Sequence, residues 1–198
     1  MGTGLAPGDT FPDYELTDHT HELRRLSELQ GPDPMILTLA RGGYCPREHQ
    51  HHLELAGFFP KVAVAYTRIV TITPDTPRGA RAFHDAVGAQ WPFLADPTRI
   101  VQRDLDIPEY TDSTHDPMVP HTLVLKPGLV VHSAYNGYWF WGRPTTSDLW
   151  HDLRNVMREV RPDWDLNAPG LRERWDAGDR APFYGWNRPQ QVPIAHKP

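Results

Sequence analysis

The 198-residue sequence holds a single cysteine, Cys45. That scarcity excludes an internal disulfide, and with it the class of oxidised, disulfide-stapled secreted domains, so a reducing, cytoplasmic setting is expected. Basic excess is lacking too. The formal net charge is −5 with the signs interspersed, so no face is expected to track nucleic-acid phosphates. No apolar run is long enough to span a bilayer, and membrane insertion is not expected. The opening, Met1 to Asp9, has neither a basic start nor an apolar stretch, so no secretion signal is expected there. In contrast, 21 prolines, 7 tryptophans and 11 histidines stand out. No composition break divides the first 161 residues, which read as one domain with its own core. Residues 162–198 are rich in proline, charge and tryptophan without a steady period, and read as a tail packed on the domain or on a neighbouring subunit.

Hydrophobic patterning predicts the order of elements. An irregular hairpin over 8–29 leads into a helical turn at Leu26 to Leu29. Strands follow at 35–40 and 68–73, with a helix from Pro46 that ends or breaks at Gly57 or Pro60. Ala80, Phe83, Ala86 and Val87 have helical spacing, with Gly88 as the stop. A short extended piece at 92–96 and a helix over 98–105 come next. Two strands, 122–125 and 129–133, flank the Lys126-Pro127-Gly128 turn, and a final helix runs from Thr145 to Val160 with Leu149, Leu153, Val156 and Val160 as its buried stripe. The strand, helix, strand, helix series implies parallel strands with helices on the sheet.

Cys45 falls where the first strong strand hands over to a helix. Gly42 and Gly43 let the chain turn, Pro46 suits the first helical position, and Cys45 becomes the cap residue. A sulfur there faces the free amides and positive end of the helix dipole, with Arg41 and Arg47 close in sequence, and each favours the nucleophilic thiolate. The bland alternative is an inert cysteine packed like a small apolar residue.

Cys45, His49 and His52 share one helix face at i, i+4 and i+7, a spacing that could place three ligands on zinc, copper or iron. A solvated histidine-rich face, or an imidazole that tunes the thiolate, fits the same pattern. His84, His115, His121 and His132 are available as further donors. The segment 135–143 packs five aromatics into its nine residues, either as packing or dimer surface or as the wall of a substrate pocket closed by Trp164, Trp175 and Trp186.

The order of these elements is that of the thioredoxin fold, an α/β architecture with a central mixed sheet flanked by helices. Gly8-Asp9 with Phe11-Pro12, Leu16 with Asp18, Leu26-Ser27, Phe93-Leu94 with Asp96, and the hairpin after Val119-Pro120 resemble the peroxiredoxin superfamily, also called the alkyl hydroperoxide reductase and thiol-specific antioxidant family. The resemblance implies an antioxidant oxidoreductase in which Cys45 attacks a peroxide, becomes a sulfenic acid and is restored by a second thiol. With no other cysteine in the chain, that thiol comes from a small thiol, a thioredoxin-like protein or a second copy in a homodimer, which makes this a one-cysteine type. No cofactor is expected; a transition metal enters only under the histidine reading.

The family pattern Pro-x-x-x-Thr-x-x-Cys is replaced here by Thr38, Gly42 and Cys45, and the family arginine that opens the later strand by Pro120 before His121. Arg41 and Tyr44 are the candidate substitutes for the missing charge and hydroxyl, with Gly42, Gly43, Pro120 and His121 around the substrate. Val119-Pro120 is similar to the cis-proline facing the cysteine of thioredoxin-like proteins. Arg41 to Glu48 also looks like redoxins with Arg-Gly-x-x-Cys-Pro-x-Cys, Glu48 standing for the second cysteine. A redoxin domain that has lost catalysis and serves as a binding module is the remaining reading.

Overall fold

The structure is a computed structural model that describes residues 4–137, 142–165, 167–181 and 183. Its centre is β3 (Met35–Leu39), a strand whose five residues are all buried because both faces are covered. Parallel to it lies β4 (Arg68–Thr73), and parallel to β4 lies β5 (Phe93–Ala95). On the other side β6 (His121–Lys126) and β7 (Val130–Asn136) run antiparallel, while β1 (Glu15–Asp18) and β2 (Leu23–Arg25) form the hairpin beyond β5. The resulting seven-stranded mixed sheet has the order β2-β1-β5-β4-β3-β6-β7.

Alternation along β3 divides the core in two. Leu37 and Leu39 join Phe11, Leu26, Val101 and Leu123 on the face covered by α1 (Leu26–Gln30) and α4 (Ile100–Asp104). Ile36 and Ala40 join Phe59, Phe83, Val124 and Leu153 under α2 (Pro46–Val64), α3 (Pro77–Val87) and α5 (Thr146–Val160). Helix ends follow the side-chain chemistry. Thr76 accepts the Gly79 amide at the start of α3, Gly88 closes it in the left-handed region, and Thr145 with Asp148 forms a reciprocal capping box on α5.

Two expectations need correction. Helix α2 does not stop at Gly57 or Pro60 but continues to Val64. Gly57 and Pro60 lie on its exposed side, while Leu55, Phe58, Phe59 and Val62 are buried beneath, so packing outweighs the local penalty. The segment after 161, read as aperiodic, contains a 3-10 turn at Pro162–Trp164 and a short helix α6 (Leu171–Asp176) with no buried residues. Trp164 packs against Tyr66 at 6.1 Å between ring centres. Since Tyr66 lies just past the last turn of α2 and Cys45 precedes its first, a helix length of about 28 Å separates Trp164 from the cysteine, and Trp164 does not close over it. Trp175 packs on Phe183 and under Arg180. Trp186 and the aromatic run Tyr138, Trp139, Phe140 and Trp141 lie outside the described residues.

Candidate active site around Cys45

The carboxyl ends of the parallel strands β3 and β4 lie side by side, with Leu39 opposite Ile72. The loops that leave them therefore meet, which brings Asp75 to Gly43. The antiparallel pairing of β6 with β3, His121 opposite Leu39, brings the segment before β6 to the same end of the sheet. Residues from three stretches of chain thus converge on the turn that carries Cys45.

Cys45 is the N-cap of α2, with Pro46 at the first helical position. Its carbonyl accepts the amides of Glu48 and His49, but its side chain makes no capping bond. Cys45 is 3 % exposed, and its sulfur receives a hydrogen bond from the Arg41 guanidinium at 3.8 Å. Arg41 is shared: it also meets Glu109 at 2.7 Å and Asp112 at 3.3 Å. Burial works against its charge, but Tyr44, Glu109 and Cys45 more than offset this and hold its pKa above the ordinary arginine value.

Tyr44 donates its hydroxyl proton to Asp112 at 2.8 Å, and its ring stacks on His115 at 3.6 Å. Burial and this hydrogen bond push the phenol pKa up, so it stays protonated. Asp112 is pulled down to about 2, chiefly by the Tyr44 hydroxyl and then by His115. The loop 109–115 is thereby tied down beside the sulfur. Its base is held by Arg99, which bonds the carbonyls of Pro74 and His115 and pairs with Asp116 at 3.1 Å.

Beneath the turn, Gly42 adopts φ +126°, a backbone conformation that side-chain-bearing residues rarely take. Gly43 donates its amide to Asp75 at 2.8 Å, and its carbonyl meets His49 Nε2 at 2.7 Å. Glu48, 1 % exposed, forms an ion pair with Arg143. His52 is fully buried, and burial lowers its pKa even though Glu48 opposes this. Its Nδ1 donates to the Glu48 carbonyl at 2.8 Å, so Nε2 accepts from the Thr71 hydroxyl at 3.1 Å; Thr71 in turn receives Thr38 and Trp91. His51 faces Thr122 at 3.3 Å.

These bonds do not support the metal reading. His52 spends both ring nitrogens on protein groups and His49 turns to Gly43, so Cys45, His49 and His52 form no ligand set. Among the described residues no group of three histidine, cysteine or acidic side chains could hold a metal ion. The cis-proline expectation is also corrected, since Val119–Pro120 is trans. Pro120 uses its carbonyl to accept the Gly137 amide at 2.7 Å. His121 bonds the Val119 carbonyl through Nδ1, and among the described residues its buried Nε2 has no hydrogen-bond partner and it makes no bond to Cys45. Glu109, Asp112, Asp75 and Arg143 were not singled out from the sequence as members of this site, and His115 was named only as an available further metal donor. For Glu109, Asp112 and His115 the only signal was a run of polar residues between two prolines; for Asp75, its place just past a strand.

No curated protein sequence matches the chain. Solved structures do. Peroxidoxin BcpB from Mycobacterium tuberculosis superposes with a TM-score of 0.63 at 19% identity, covering 80% of this chain and 97% of that one. A cysteine-to-serine mutant of peroxiredoxin 6 from Arenicola marina gives 0.67 at 14% identity over 81% and 76%. A yeast mitochondrial 1-Cys peroxiredoxin, whose thiol resolution runs through glutathione and thioredoxin systems, gives 0.64 at 12% identity over 78% of each. These likenesses establish the thioredoxin-like fold. The AhpC/TSA family model matches residues 7–133, a span holding β3, the cap of α2 and Cys45 itself, and the chain therefore belongs to the AhpC/TSA family.

Proposed function

We propose that the protein is a thiol-dependent peroxidase of the one-cysteine type with Cys45 as its nucleophile. The observation that carries this reading is the Arg41 guanidinium on the Cys45 sulfur at the cap of α2. The thiolate attacks one oxygen of the peroxide O–O bond. An S–O bond forms, the O–O bond breaks, and the leaving oxygen departs as water or an alcohol after taking one proton, while the sulfur is oxidised to a sulfenic acid. A first external thiol then forms a mixed disulfide with Cys45 and releases water. A second external thiol reduces that disulfide, restoring the Cys45 thiol and leaving the external thiols as their own disulfide.

Arg41 is the group placed to stabilise charge on sulfur and on the departing oxygen. Tyr44 contributes differently: with its proton committed to Asp112, it walls the site through its ring and the His115 stack rather than donating to substrate. A cysteine only 3 % exposed favours a small peroxide over a bulky one, and the external thiol needs the 109–115 loop to yield. Membership of a peroxidase family and the likeness to a one-cysteine peroxiredoxin fold support the reading.

The test is consumption of hydrogen peroxide, and of a small organic hydroperoxide, with dithiothreitol as reductant. Wild type is expected to turn over repeatedly and to yield a dimedone adduct on Cys45, and Cys45→Ser is expected to fall to the uncatalysed rate. Equal activity in the two proteins rules out this mechanism. No turnover by either one leaves the fold as a binding module.

A further inference from the structure

We propose that His49 and Asp75 are positioning residues, a clamp on the two peptide groups flanking Gly43 that holds the Cys45 sulfur where Arg41 meets it. The kinetic part of this inference rests on the peroxidase reading above; the structural part does not.

The clamp is built from four bonds. The peptide between Gly42 and Gly43 is held at both ends: its carbonyl accepts the Cys45 amide at 3.2 Å and its N–H donates to Asp75 at 2.8 Å. The same Asp75 oxygen accepts the Thr73 hydroxyl at 2.6 Å, which fixes the carboxylate to the end of β4. The next peptide is held by its carbonyl, 2.7 Å from His49 Nε2. A carbonyl can only accept, so Nε2 carries the proton and the histidine acts as a donor. His49 is one turn into the helix that Cys45 caps, so this bond ties the turn back onto α2.

Packing leaves the clamped turn little room. A Cβ at position 43 would lie 3.0 Å from the Phe83 Cβ, and one at Gly79 would lie 3.0 Å from the Asp75 Cβ. The His49 ring itself rests 5.0 Å from the Phe83 ring. The turn is pinned by one acceptor from the β4 to α3 loop and one donor from α2. Those two peptides set the direction in which Tyr44 and Cys45 leave the loop, so they also set the distance between sulfur and guanidinium. Misplacing reacting atoms by about 1 Å can cost about 100-fold in rate.

This explains the phase of the histidines on α2 without a metal. His49 serves the loop, His52 serves the Thr38–Thr71–Trp91 network and His51 faces Thr122.

The experiment compares His49→Leu, His49→Ala and His49→Gln with Asp75→Ala and Asp75→Asn. Steady-state peroxidase kinetics use hydrogen peroxide and dithiothreitol, and amide hydrogen exchange is followed on the peptide covering residues 41–48. His49→Leu, His49→Ala and Asp75→Ala are expected to lose at least tenfold in kcat, with KM for peroxide moving less than threefold. Exchange in 41–48 should quicken at least tenfold while α5 is unchanged. His49→Gln can still donate to the Gly43 carbonyl and Asp75→Asn can still accept the Gly43 amide; both should stay within threefold of wild type.

The proposal is overturned if Leu and Gln behave alike at position 49, or if exchange in 41–48 is unmoved in all five variants. It is also overturned if the donor-less variants fail to fold while Gln folds, because the role is then structural. If wild type shows no peroxidase activity, the function reading fails while the exchange comparison still decides the clamp.

Discussion

Arg41 divides its guanidinium between one sulfur and two carboxylates, hydrogen-bonding Cys45 and Asp112 and ion-pairing with Glu109, and that division is the main electrostatic feature of the site. A guanidinium presents several donors in a fixed plane, so it can hold Glu109 and Asp112 while keeping one N–H on the sulfur. Lysine offers a point charge on a flexible stem. Arg41→Lys is therefore expected to keep the fold but lose about 100-fold in peroxide turnover, the lower end of what loss of one oriented donor costs, since the charge is kept; kcat/KM for hydrogen peroxide checks it. Gly42 acts through the backbone. Its φ of +126°, and a Tyr44 ring only 3.2 Å from where a Cβ would stand, leave no relaxed place for a side chain, so Gly42→Ala should cost about 1–3 kcal/mol of stability and shift Tyr44. The measurement is urea denaturation of the variant beside wild type.

Among the elements, α2 carries most of the site, since it is capped by Cys45 and bears Glu48, His49, His51 and His52 within its first two turns. It tolerates Pro60 because the ring sits on the exposed side, where the missing amide leaves only the Ala56 carbonyl without its helical donor. Pro60→Ala should restore that bond and raise the melting temperature, the gain falling short of about 3 kcal/mol because proline also restricts the unfolded chain. A lowered melting temperature would contradict this account. The strands, the start of the last helix near Thr145, the Gly88 stop and Cys45 as a cap residue were legible in the sequence, because periodicity and capping act over a few residues. The continuation of α2 past Pro60 was not, because it depends on Phe58, Phe59 and Val62 burying against distant strands. The site shows the same divide. Arg41 and Tyr44 were legible as neighbours of Cys45. Asp112 is 71 residues from Arg41, and no local rule links the segment before β6 to the end of β3. The histidine spacing was visible, but burial turned those rings toward carbonyls and hydroxyls, which made the metal reading fail.

For the molecule as a whole, the sheet's two covered faces leave several histidines with no water to stabilise a positive charge. Burial pushes His51 down to about 3, with His52 and Arg143 adding repulsion, and it also lowers His52 and His121. The sign of the effect on folding follows from proton counting. Above pH 6.5 these imidazoles are neutral in both states and contribute no pH dependence. Below it the unfolded chain takes up protons that the native rings refuse, so stability falls with pH, by up to about 1.4 kcal/mol per pH unit for each such histidine. Asp112, held low in the native state at about 2, acts in the same direction but only below its ordinary value near 4, so the window between pH 6.5 and 5 belongs to the histidines. His51→Gln keeps an amide that can bond the Thr122 hydroxyl while removing the titration. Denaturant unfolding at pH 7.5, 6.0 and 5.0 should show wild type losing stability steadily and the variant losing it with a slope shallower by close to one proton. Parallel slopes would mean that His51 takes up its proton in the folded protein as readily as in the unfolded chain, and that the core around Thr122 and Arg143 is not closed to water.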